Sequence, residues 1–200
     1  MNALIDNIIP KQGFEIVLER IACIILLELK NQKTLQNFSD VFSVWTERQS
    51  AFDKSEDDVM ISVGLDSINF NGQTQHDTHG LTTFFIDIYS TGVETKFKSG
   101  DDVSRERNLK FAGMIRYIFG STQYKTLNFP PGLIGGVYVN TIQNQLNYGQ
   151  DADFIKFSRV SISVRIQENS QMWEAVELLG NDTTIKFDNT DKGIKLTFNT

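Results

Sequence analysis

Cysteine occurs once in this 200-residue chain, histidine twice and proline three times. Each scarcity excludes a class of protein. A single thiol cannot close a disulfide within the chain, and a chain of this length buries about 70% of its unfolded surface without needing one. That thiol, Cys23, lies in Ile21-Ala22-Cys23-Ile24-Ile25-Leu26-Leu27, where it is expected to be a small buried hydrophobe. This run of seven is the longest apolar stretch, far short of the ~20 residues that span a bilayer. The opening Met1-Asn2-Ala3-Leu4-Ile5-Asp6 carries no basic segment of the secretory kind. Neither export nor membrane insertion is expected. Basic residues are outnumbered as well, 19 against 25 acidic ones, which gives a net charge of −6 and a pI near 4.9. A general nucleic-acid surface needs clustered Lys and Arg, so none is expected, which still allows nucleic acid to pass close by without being gripped.

Motifs for chemistry are equally sparse. Both histidines fall in Gln75-His76-Asp77-Thr78-His79, and with no other His and one distant Cys to complete a metal cage the segment reads as a polar turn. No Gly-x-Ser-x-Gly is present, and Gly132-Leu133-Ile134-Gly135-Gly136 lacks the Lys and Ser/Thr of a phosphate loop. Ser55-Glu56-Asp57-Asp58 reads as a solvated acidic loop. No catalytic residue, metal or cofactor is assigned, and the chain is expected not to be an enzyme.

What the chain does contain is strong periodicity. Phe14, Val17, Leu18, Ile21, Ile24, Ile25 and Leu29 recur at three- and four-residue steps and predict a helix over 13–32. Ile16, Ala22, Cys23, Leu26 and Leu27 widen its apolar stripe. Such a helix either sits wholly in its own core or packs on a sheet with one side and on a neighbouring subunit with the other. Val41-Phe42-Ser43-Val44-Trp45, the segment 59–65 and Leu81-Thr82-Thr83-Phe84-Phe85-Ile86-Asp87-Ile88-Tyr89 alternate as half-buried strands and suggest an antiparallel meander.

A second helix is predicted over 102–119, capped by Asp101 or Asp102, with Arg105 and Arg107 solvated, Leu109 and Met114 on the buried face, and Gly120 as its stop. The stretch 121–153 reads as loop with a short strand at 136–140. One long strand follows at 154–166, turning Val160, Ile162, Val164 and Ile166 inward and Arg159, Ser161, Ser163 and Arg165 outward. Arg159 and Arg165 then meet either solvent or the carboxylates of a partner. Short strands at 183–187 and 193–198 form a terminal hairpin, which needs support from the main sheet or a neighbouring copy. The expected fold is α+β: an antiparallel-rich sheet of four to five strands packed by two helices over 1–170, and a hairpin arm over 171–200.

This order of elements resembles a known family. The leading amphipathic helix, the strand closing in Val44-Trp45-Thr46-Glu47-Arg48, the turn with Phe52-Asp53, the strands at 59–65 and 84–89, the helix and the last long strand resemble the tail terminator and tail-completion proteins of tailed bacteriophages. The likeness covers residues 14–168. It implies a virion protein, made in the host cytoplasm, that forms a homo-oligomeric ring, six-fold or alternatively twelve-fold, in the neck. Such a ring ends tail tube assembly, joins the tail to the head connector, lets DNA pass through its lumen and catalyses nothing. Subunit-contact candidates are Phe14, Ile21 and Ile25 on the first helix, Arg159 and Arg165 on the long strand, and Ile185, Phe187, Ile194 and Leu196 on the hairpin. The alternatives are a head-tail adaptor, a tail tube subunit, or a small-molecule-binding or enzymatic domain.

Overall fold

The stripe of apolar residues in the first segment winds into helix α1, Gly13–Gln36, which buries Val17, Ile21, Ile24, Ile25 and Leu29 on one side. Its first turn is fixed by Glu15, whose carboxylate accepts from the Gln12 backbone N–H at 2.7 Å. The helix runs one turn beyond the predicted end and stops at Asn37, which takes the left-handed conformation (φ 50°) that ends many helices. The structure, a computed structural model, describes residues 8–48, 52, 56–70, 79–145 and 155–167, and the backbone of two strands within 182–197.

Five strands follow in the main unit: β1 (Phe42–Thr46), β2 (Val59–Phe70), β3 (His79–Ser90), β4 (Ile134–Gln145) and β5 (Lys156–Gln167). They form one sheet in the order β1-β2-β3-β5-β4. Helix α2 (Gly100–Gly120) carries the chain from the end of β3 to the far edge, and β5 then fills the slot between β3 and β4. The pairing of β3 with β5 runs unbroken from His79 opposite Gln167 to Ser90 opposite Lys156. With two helices and a mostly antiparallel five-stranded sheet, the fold is α+β. Both helices lie on the face made by Ile61, Val63, Phe84, Ile86, Ile88, Val160, Ile162 and Val164, and Phe111, Ile115 and Phe119 of α2 complete the core.

The structure corrects several expectations. Strand β1 pairs with β2 in parallel, Phe42 opposite Val59, so the first strands are not a meander. A parallel pair needs a crossover of roughly a dozen residues, which the sequence between the two strands supplies. Helix α2 is capped by Ser99, whose hydroxyl accepts from the Asp102 N–H at 3.2 Å, and not by an aspartate. Gly120 is the last helical residue and has no positive φ; the chain leaves through Ser121 in an extended conformation. Residues 134–145 form a full edge strand, where Gly135-Gly136 absorbs a β-bulge with Gly136 at φ 133°. Cys23 and Leu109 are exposed: 23 lies on the side of α1 away from the sheet, and 109 on the outer side of α2.

Arg107 is the largest departure. Predicted to be solvated, its side chain is 17% exposed, with Nε 2.8 Å from Asp40 Oδ1 and Nη1 3.1 Å from Asp58 Oδ1. The same Nη1 donates to the Thr91 carbonyl. One guanidinium therefore ties α2 to the entry of β1, the entry of β2 and the exit of β3. Lys110 adds a 3.4 Å contact to Asp40 and sits 3.6 Å from the centroid of the Phe38 ring. Phe38 and Phe42 both meet Phe111 edge-on, at 5.8 and 5.7 Å between centroids. Asp57 accepts from Ser43 Oγ and Asp58 from the Val41 N–H, so the expected acidic loop is bonded back to β1.

The chain divides into two units, 1–170 and 171–200. The second holds the antiparallel strands β6 (Asp182–Lys186) and β7 (Gly193–Thr197), with Ile185 opposite Ile194 and Thr183 opposite Leu196. The side chains of Ile185, Ile194 and Leu196, and Phe187 altogether, lie outside the described residues, as do His76 and Asp77.

Replacing Arg107 by Met leaves Asp58 without its cation and Asp40 with only the longer Lys110 contact, and is expected to cost about 3 kcal/mol in urea unfolding. A second expectation separates two glycines. A Cβ on Gly64 would fall 2.1 Å from the Phe85 ring, which can swing away, whereas a Cβ on Gly92 would fall 2.1 Å from the Gly100 carbonyl oxygen and 2.6 Å from the Ser104 nitrogen, both backbone. Gly64→Ala should cost about 1–3 kcal/mol. Gly92→Ala should cost more, and equal unfolding midpoints for the two variants would contradict this.

Candidate functional site

Alternation along the strands builds the sheet face opposite the helices. In the register of β3 and β5, Asp87 stands directly opposite Arg159. Arg159 grips it with two hydrogen bonds, Nε to Oδ1 at 2.6 Å and Nη2 to Oδ2 at 2.8 Å. The guanidinium lies 4.5 Å from the centroid of Phe85, and the Phe85 ring rests against Gly64, where no side chain stands in its way. Tyr89 meets Phe157 at 4.9 Å and Phe52 at 6.4 Å, so the crossover between β1 and β2 passes over this same face. The sequence placed Asp87 and Arg159 outward on separate strands, but only the register pairs them. Arg159 thus pairs its charge within the chain, with its side chain still 38% exposed, and Arg165 is exposed on the same face.

These groups are tied, not poised. The hydrogen bonds to Asp87 raise the Arg159 pKa further, so the cation persists at any working pH. Burial raises the Tyr89 pKa, and the nearby Asp87 charge adds to it. On the helix face Tyr124 donates to Glu28, and that hydrogen bond, followed by burial, raises the Tyr124 pKa. Among the described residues no group of three or more His, Cys, Asp or Glu converges as a metal site.

Two grooves open on the surface. One, of about 830 Å³, runs between the end of α2 and β4. Val137, Val139 and Ile142 supply apolar surface, Tyr117 and Tyr138 stand at it, and Arg116 and Lys125 are its only charged residues. The other, of about 580 Å³, lies between the helices over Met114 and Ile118, with Glu28, Gln32 and Gln36 of α1 along it. The second also carries the hydrogen bond from Tyr124 to Glu28. Both can hold polypeptide, the first through apolar contacts and the unpaired backbone of β4.

The predicted contact residues separate clearly. Ile21 and Ile25 are fully buried against the chain's own sheet and cannot reach a partner, which corrects that assignment; the helix needs its central stripe for the core. Phe14 is half-buried beside the same core. The apolar excess of α1 emerges elsewhere, at Cys23, at Leu27 (67% exposed) and at Leu35. Sequence reasoning missed β4 as a surface, because Gly135-Gly136 and the Asn and Gln residues after it weaken its alternation. No helix among the described residues is long and apolar enough to cross a membrane. No family model and no curated protein matches the chain.

The two raised tyrosines set an alkaline limit. The folded protein keeps protons that the unfolded chain releases near pH 10, so their contribution is complete below about pH 10 and is lost as pH rises through the folded values. Urea midpoints measured from about pH 9 to 11 should therefore fall more steeply for the natural protein than for a Tyr89→Phe, Tyr124→Phe double variant.

Proposed function

We propose that this chain is a structural subunit that assembles into a homo-oligomeric ring in the neck of a tailed phage, where it ends tail tube assembly and joins the tail to the head connector. The observation that carries the reading is a sheet with two uncovered edges. Among the described residues β1 and β4 each pair on one side only, and each bears exposed apolar side chains, Trp45 (45% exposed) on β1 and Tyr138 (58%) and Ile142 (39%) on β4. Monomeric proteins blunt such edges, whereas ring subunits use them.

Four further features support it. The element order of residues 14–168 resembles the tail terminator and tail-completion proteins. Tyr117 and Leu27 add apolar surface on the helix layer, at 77% and 67% exposure, which a second subunit can cover. The net charge of −6 suits a lumen through which DNA slides without sticking. The hairpin of the second unit supplies an arm for a neighbouring subunit.

Light scattering on the purified full-length protein, with negative-stain images of the same sample, tests the reading. A closed ring of about six or twelve copies is the expected outcome, and a protein that stays monomeric at high concentration defeats it. Deleting residues 182–200 should lower the assembled mass while the circular dichroism of the main unit is retained. Rings of unchanged size and yield after the deletion would remove the arm from the proposal.

A further inference from the structure

The two sheet edges share a property that an ordinary exposed strand lacks. β4, Ile134-Gly135-Gly136-Val137-Tyr138-Val139-Asn140-Thr141-Ile142-Gln143-Asn144-Gln145, contains no charged residue and no proline. β1, Phe42-Ser43-Val44-Trp45-Thr46, contains none either, in a chain that is 22% charged. The strands that each have two neighbours do carry charge: Asp66 on β2, Asp87 on β3, and Lys156, Arg159 and Arg165 on β5. Charged side chains and prolines are what keep a free edge from pairing with another chain. Here they are missing from both edges at once, so no like charges would oppose each other if the edges met.

Direction and length agree. β1 is parallel to β2, and each further step across the sheet, to β3, β5 and β4, is antiparallel, so β1 and β4 point in opposite directions. Copies related by rotation about an axis along the strands would therefore bring β4 of one against β1 of the next as an antiparallel pair. The bulge after Val139 leaves Thr141–Gln145 as five residues in unbroken register with β5, the same length as Phe42–Thr46. In the ladder to β2, Val59 N–H donates to Val41 and Glu47 N–H to Val63, so the alternate residues Phe42, Val44 and Thr46 turn their N–H and C=O groups outward.

We infer that the subunit contact is strand addition between edges: β1 of one copy pairs antiparallel with the Thr141–Gln145 end of β4 in the next, extending the sheet head to tail. Side-chain parity narrows the register. Phe42, Val44 and Thr46 stand opposite the core-facing Val59, Ile61 and Val63, and Ile142 stands opposite core-facing Val160, so Val44 belongs opposite Ile142 or Asn144 of the neighbour. Either register places the exposed Thr46 directly opposite the exposed Ile142 or two residues from that position, with both side chains on the same face across the interface. The inference rests on the ring reading and names the surface that would close it.

The test uses full-length protein with Cys23 changed to Ser, a short bismaleimide cross-linker, and the variants Thr46→Cys, Ile142→Cys and both together. The double variant should lose its monomer band to a ladder of covalent multimers on a denaturing gel, while each single variant stays monomeric. Ile142→Lys should reduce the assembled mass in solution without lowering the melting temperature. A double variant that fails to cross-link although light scattering finds a ring overturns this contact and leaves the ring reading standing. Efficient dimer formation by Ile142→Cys alone, the mark of a symmetric β4–β4 contact, also overturns it. A protein found only as monomer takes the ring reading down, and the inference with it.

Discussion

The Arg107 guanidinium is the interaction on which the arrangement of the main unit depends. Its contacts reach Asp40 before β1, Asp58 before β2 and the Thr91 carbonyl after β3, three points of the chain that meet only at this corner. Two carboxylates at a half-buried corner would repel each other without a cation between them, so the parallel seating of β1 beside β2 and the position of α2 are linked. The Phe38, Phe42 and Phe111 rings close the apolar side of the same corner, and Asn108, one residue along α2, donates to the carbonyls of Ile88 and Lys156 where β3 and β5 meet.

With that corner fixed, the two faces of the sheet serve different ends. The helix face is the core, and its demand for aliphatic side chains uses up Ile21, Ile25 and their neighbours on α1. The opposite face is held by paired and stacked groups, Arg159 on Asp87 and Phe85 on Gly64, with Arg165 exposed on it. Apolar surface remains at the margins, along β1, along β4 and on the outer helix residues.

The same logic explains which candidate residues held their place. Residues on the midline of an amphipathic stripe are the ones a single globule buries first, so the strongest periodic signals, Ile21 and Ile25, were the poorest guides to a partner. The weakest signal, the glycine- and amide-rich stretch after Pro131, became the longest free edge. Its bulges need glycine and its exposed side needs no apolar run, and both features hide a strand from a search for alternation.

By itself the sequence determined both helices, the inward-facing residues of β2, β3 and β5, and the α+β class, because hydrophobic period is a local property that reports which side of an element is buried. The shortage of His and Cys likewise limited the available site chemistry before any fold was known. Only the tertiary structure decided that β1 runs parallel to β2, that Arg107 rather than an acidic loop organises the corner, that Asp87 takes the charge of Arg159, and that β4 stands at an open edge. Each of these is a pairing between segments far apart in the chain, and the free energy of such a pairing depends on geometry that no local pattern of residues records.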